Sequence, residues 1–159
     1  MSAPDHRTAV PHPTLADCAC FNARSAARAI TDLYDEILGP SGLRMTQAAM
    51  LGAVAARSGA AMQELAAELG LDPSTMTRTL RPLEEAGLVQ SRTAEDKRAK
   101  ELVLTARGRT VLSKCDHLWS RAQQELRERL GPQVFDRLLA DLTSVNNALR
   151  DRRSKEPSR

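Results

Sequence analysis

Leu65-Ala66-Ala67-Glu68-Leu69-Gly70-Leu71-Asp72-Pro73-Ser74-Thr75-Met76-Thr77-Arg78 is the run on which the fold of this chain turns. Met62, Leu65, Ala66 and Leu69 recur at helical spacing, which predicts a short helix over 62–69. Gly70-Leu71-Asp72 then makes a tight connection. Asp72 is a natural N-cap, and Pro73 suits the first helical position because its missing N–H would have no partner there anyway. The helix it opens carries Ser74, Thr75, Thr77, Arg78 and Arg81 outward and Met76, Leu80 and Leu83 inward. Pro82 removes the bond to the Arg78 carbonyl, at roughly 3 kcal/mol in a helix interior, so a kink is expected there. One more turn then leads to Gly87.

Downstream, residues 88–92 and 101–105 read as two short strands. The polar segment 93–100 between them makes a hairpin with a long loop. Two short helices joined by a tight turn and followed by a hairpin form a winged helix-turn-helix. Each part answers a need of DNA reading. The second helix enters the major groove, and between Ser74 and Leu83 it presents short hydroxyls and long cations with no acidic residue. Arg78 and Arg81 have the bidentate geometry that reads guanine. Ser74 and Thr75 stand at a helix N-terminus, where backbone N–H groups favour a phosphate. Lys97, Arg98 and Lys100 in the hairpin loop reach toward the minor groove or flanking phosphates.

Upstream, Ile30, Leu33, Tyr34, Ile37 and Leu38 lie on one face of a helix that Gly39-Pro40 is expected to stop, Gly39 as its left-handed cap. Thr46 is the expected N-cap of an Ala-rich helix over 47–56, ended by Ser58-Gly59. Past the hairpin, Thr105 caps a long helix whose stripe is Val111 or Leu112, Cys115, Leu118 or Trp119, Ala122, Leu126 and Leu130. Gly131-Pro132 breaks it. A final helix is expected to bury Val134, Phe135, Leu138, Leu139, Leu142, Val145 and Leu149. The class is therefore mainly α with a small β-hairpin, in the order α-α-α-α-β-β-α-α. Residues 1–14 form an N-terminal tail and 151–159 a basic tail. The domain between them, 15–150, has a DNA-binding lobe over about 45–104 and dimerisation helices over about 15–38 and 105–150.

Composition excludes several alternatives. With 159 residues the chain suits one domain with extensions, and 42% hydrophobic residues are too many for a disordered one. The longest apolar run, over 48–56, falls well short of the roughly 20 residues a membrane span requires. Four aromatic residues are too few for a stacking platform of a single-strand RNA binder. No secretory leader is visible, and three cysteines, an odd number, do not suit a disulfide scaffold. A cytoplasmic protein is expected. His117 stands alone on its helix, with no nucleophile elbow, phosphate loop or His-Glu-x-x-His, so no enzyme and no cofactor are expected.

The run quoted first, with Leu83-Glu84-Glu85-Ala86-Gly87-Leu88-Val89, the wing sequence Asp96-Lys97-Arg98, and Leu104-Thr105-Ala106-Arg107-Gly108, resembles the DNA-binding lobe of the MarR (multiple antibiotic resistance regulator) family. The flanking helices fit as well, so the similarity runs from about residue 15 to 150. The resemblance implies that Asp96 holds the wing and Arg98 enters the minor groove. It also implies a homodimer built from the first, fifth and sixth helices, which places two recognition helices on a palindromic duplex site. The wide apolar stripes of the terminal helices independently call for such cover.

Members of the family are usually repressors that a small phenolic or other anionic ligand releases from DNA. The resemblance directs attention to Arg24, Arg28, Met45, Met50 and Trp119 as pocket residues. Met and Trp at helical spacing also make ordinary core. Cys18 and Cys20, at the start of the first helix, raise a second possibility. Cys20-Phe21 resembles the position of the sensing cysteine in peroxide-responsive members, with Cys115 of the other subunit as resolving partner. Met45 and Ala48 stand where that branch places tyrosines. A soft metal on Cys18, Cys20 and Cys115 lacks a fourth ligand, so no metal is expected. The remaining alternative is a winged-helix module that binds protein and not DNA.

Overall fold

In the computed structural model, residues 14–93 and 100–153 are described. The wing-tip residues Asp96, Lys97 and Arg98, residues 1–13 of the expected N-terminal tail and residues 154–159 of the basic one lie outside them. The elements follow the expected order: α1 (Ala19–Leu38), α2 (Met45–Ala56), α3 (Met62–Leu69), α4 (Pro73–Glu85), β1 (Val89–Thr93), β2 (Lys100–Leu104), α5 (Ala106–Leu130) and α6 (Pro132–Arg153). Single 3-10 turns occupy Leu15–Asp17 and Gly39–Ser41.

The α1–α2 junction departs from the expectation. Gly39 is right-handed, at φ −42°, and opens the 3-10 turn; the left-handed residue is Gly42, at φ 76°. Pro40 is compatible with this because its fixed φ suits the start of a helical turn as well as the end of a helix. Thr46 is not the N-cap of α2, which begins at Met45 behind Arg44, two residues earlier than expected. The reason is tertiary. Asp35 of α1 accepts the Met45 N–H at 2.6 Å, and Gln47 accepts the Arg44 N–H at 3.0 Å. A carboxylate from the neighbouring helix and a glutamine side chain thus satisfy the N–H groups of Met45 and Arg44, which fixes the helix start ahead of Thr46.

The helix-turn-helix closes as its sequence dictates. Gly70 takes φ 67°, and the Leu71 N–H donates to the Ala66 carbonyl at 2.9 Å, turning the chain sharply after α3. Asp72 then caps α4, which runs through Pro82 to Glu85. Leu65, Met76, Leu80 and Leu83 are buried, with Met50, Leu51 and Val54 of α2 in the same core.

The strands pair antiparallel, with Val89 opposite Leu104 and Thr93 opposite Lys100. The far edge of β2 is also used: Gly59 donates to the Leu102 carbonyl at 3.1 Å, and Leu102 donates to the Ala60 carbonyl at 3.2 Å. The wing is therefore stitched to the connection between α2 and α3. Gly59-Ala60-Ala61 carries no strand pattern, so this third segment was not legible in sequence.

Thr105 joins the wing to α5, accepting the Gly108 N–H at 2.9 Å and donating to the Gly87 carbonyl at 2.7 Å. α5 packs along α1, burying Tyr34, Cys115 and Ala122. Burial raises the Tyr34 phenol above its usual pKa. At the α5–α6 turn, Arg127 makes two bonds to Asp136, at 2.6 and 3.1 Å, and its guanidinium lies 5.3 Å from the Phe135 ring centre.

The expectation that α6 buries seven apolar residues is corrected within one chain. Phe135 is buried and Leu138 half-buried, whereas Val134, Leu139, Leu142, Val145 and Leu149 are exposed. Among the described residues α6 packs mainly against α5, and Leu139, Leu142, Val145 and Leu149 are left exposed.

Candidate nucleic-acid interface and effector cavity

α4 presents Ser74, Thr77, Arg78 and Arg81 on one face, at spacings of three, four and seven residues, opposite buried Met76, Leu80 and Leu83. All four are exposed and Thr75 is half-buried. The hydroxyls are engaged within the helix. Ser74 and Thr75 donate to the two oxygens of Asp72 at 2.6 and 2.7 Å, the Thr75 N–H donates to the same carboxylate at 2.9 Å, and Thr77 donates to the Pro73 carbonyl. These bonds, that of the Ser74 hydroxyl foremost, hold the Asp72 carboxyl well below the usual carboxylate range. The N-terminus of α4 thus carries the carboxylate cap expected of Asp72, and the Ser74 and Thr75 hydroxyls are bonded to that same carboxylate.

The two arginines differ. Arg81 donates to Glu85 at 2.7 Å, one turn further along the helix. Arg78 has no ion pair among the described residues. Glu85 was not singled out in sequence, although its i,i+4 spacing from Arg81 is a readable signal. Lys100 opens β2, opposite Thr93. Arg92, a further exposed cation, stands on β1 opposite Glu101.

A cavity of about 190 Å³ lies between α2 and α5, lined by Met45, Ala48, Ala49, Gly52, Leu112, Cys115, Asp116 and Trp119. Of the residues expected there, Met45 and Trp119 line it. Met50 lies fully buried in the core, and Arg24 and Arg28 stand exposed on α1 outside the lining. Sequence reasoning missed the small residues of α2. Ala48, Ala49 and Gly52 leave the space that larger side chains would fill, and a Cβ added to Gly52 would meet nothing within 4 Å.

The cysteines are dispersed by environment. Cys18 is the half-buried residue preceding α1, Cys20 is exposed in its first turn, and Cys115 is buried in the cavity wall. Among the described residues no cluster of three His, Cys, Asp or Glu side chains suits a metal ion, and no helix is long and apolar enough to cross a membrane.

The fold recurs in solved structures. The M. tuberculosis transcriptional regulator MosR, solved in complex with DNA, is 38% identical, with a TM-score of 0.71 over 84% of this chain and 98% of that one. A MarR-family transcriptional regulator from Rhodococcus sp. RHA1 is 25% identical, with a TM-score of 0.72 over 84% of this chain and 96% of its own. A family model described as MarR family matches residues 41–99, the lobe itself. The chain belongs to the MarR family. A curated relative, the HTH-type transcriptional regulator YwoH of Bacillus subtilis (strain 168), is 39% identical over 80 residues. That match spans 50% of this chain and 58% of the relative. MarR membership makes the chain kin to transcriptional regulators, not enzymes.

Proposed function

We propose that the protein is a sequence-specific double-stranded DNA-binding repressor, acting as a homodimer in the cytoplasm and released from a palindromic operator by a small-molecule effector. The observation that carries this reading is the outer face of α4. It offers two arginines on a helix otherwise anchored by buried Met76, Leu80 and Leu83, in a chain 38% identical to a regulator solved on DNA. Arg78, unpaired among the described residues, is the first candidate for base readout, and Arg81 joins it once Glu85 lets go. Ser74, Thr75 and Thr77 shape the helix start and offer hydroxyl oxygens to the groove. Lys97, Arg98 and Lys100 serve as the wing's cations, with Asp96 holding it.

The uncovered face of α6, Leu142, Val145 and Leu149, supports the homodimer, since a second copy removes these side chains from water. A two-fold pair then sets its recognition helices roughly 34–36 Å apart, one turn of duplex. The α2–α5 cavity supports the effector reading because it joins a helix of the lobe to the long helix of the dimerisation region. Mobility-shift titration on the chain's own upstream region tests the proposal. A shift weakened by salt and resistant to scrambled competitor is expected. No shift at low salt with any promoter fragment overturns it in favour of a protein-binding module.

One observation favours a thiol-responsive form of the same regulator: Cys20 is exposed in the first turn of α1. A hydroperoxide would oxidise Cys20 or Cys18 to a sulfenic acid, releasing an alcohol. Cys115 would then close a disulfide with loss of water. Continued peroxide-driven DNA release in Cys20→Ser removes Cys20 from that role.

A further inference from the structure

We infer that the α2–α5 cavity selects an organic cation of about one aromatic ring over an anion of the same size. This deepens the effector reading and rests on it. Of the eight residues lining the cavity, Asp116 alone is charged, and it forms no ion pair among the described residues. Basic side chains nearby in the fold do not answer it. Arg44, just before α2, donates to Asp35 at 2.9 Å, and Arg24 and Arg28 are not in the lining. An anion entering here meets a carboxylate with no counter-charge in the wall, whereas a cation finds a partner at the rim.

The rest of the wall fits the same ligand. Trp119 is 43% exposed, so its indole is available to a ligand, and an indole face is the best aromatic partner for a cation. Met45 and Cys115 add soft, polarisable surface, and the small residues Ala48, Ala49 and Gly52 leave room for a ring. The volume of about 190 Å³ is close to the roughly 150 Å³ known to hold benzene in a protein interior.

Trp119 is the only tryptophan of the chain, so its fluorescence reports directly on this cavity. The full chain is titrated with three size-matched probes: benzylammonium, benzyl alcohol and benzoate. The cation is expected to bind roughly tenfold more tightly than benzoate, with benzyl alcohol between them. Asp116→Asn, an exposed substitution, is expected to bring cation and alcohol closer together. Gly52→Leu fills the space and is expected to abolish the response to all three. Benzoate binding as tightly as the cation, and blocked by Gly52→Leu, overturns the cation preference while leaving the cavity as the effector site. A response to none of the probes, or one that Gly52→Leu leaves unchanged, overturns the cavity reading and this inference with it.

Discussion

Gly108 lies directly beneath the Leu88 carbonyl, so closely that a Cβ on it would overlap that oxygen. The contact sits where the wing passes into α5. There Thr105 donates its N–H to the same carbonyl at 3.1 Å and caps the helix through the Gly108 N–H. Helix propensity alone gives Gly108→Ala a gain of about 1 kcal/mol. The overlap is with backbone, which cannot turn aside, and overpacking costs about 1–3 kcal/mol. Gly108→Ala is therefore expected to lower the urea midpoint, and an unchanged or raised midpoint contradicts the contact.

Gly52 gives the opposite sign for the same substitution. It lies inside α2, and an added Cβ meets nothing within 4 Å. Gly52→Ala is expected to stabilise the chain by about 0.4–1 kcal/mol, mainly by restricting the unfolded state. Calorimetry reads this as a rise of a few degrees in the melting midpoint. A fall shows that the added methyl meets the wall of the cavity.

Asp72 links folding to pH. Its folded pKa is depressed, so its contribution to stability is fully present above the unfolded carboxylate value near 4 and is lost as pH falls from there toward the folded value. Asp72→Ala is expected to lower the urea midpoint at neutral pH by an amount that shrinks progressively below about pH 4. Denaturation of both proteins at pH 7 and pH 3 checks this. A gap that widens in acid reverses the sign and refutes the capping account.

Arg78 and Arg81 separate on DNA. Arg78→Ala is expected to cost about 1–3 kcal/mol on the cognate site and much less on scrambled duplex. Glu85→Gln frees Arg81, and is expected to strengthen binding to the cognate site more than to scrambled duplex at every salt concentration. Mobility shifts over a salt series measure both. Equal losses for Arg78→Ala on the two duplexes would remove it from base readout.

Leu142→Glu sets a charge on the uncovered face of α6, where the leucine is 45% exposed in the single chain. Burying that carboxylate between two copies is costly, so light scattering is expected to show the variant as monomer at concentrations where the parent is dimer. A variant that stays dimeric places the interface elsewhere.

Local chemistry made much of this protein readable before any fold was known. Asp72-Pro73 wrote its own helix start, Gly70 its own turn, and the inward set Met76, Leu80 and Leu83 its own face, because each depends on neighbours within about four residues. What depends on residues distant in the chain was not readable. Asp35 displaced Thr46 from the start of α2, and Gly59 and Ala60 completed the edge of β2. The cavity belongs to the same class, since Gly52 and Asp116 are unremarkable in sequence and meet only when α2 is laid against α5. Sequence alone determined the elements and their order, through backbone conformation and the period of apolar residues. Tertiary structure decided which donors, edges and empty spaces were left for function, because those depend on groups far apart in the chain that meet only once it is folded.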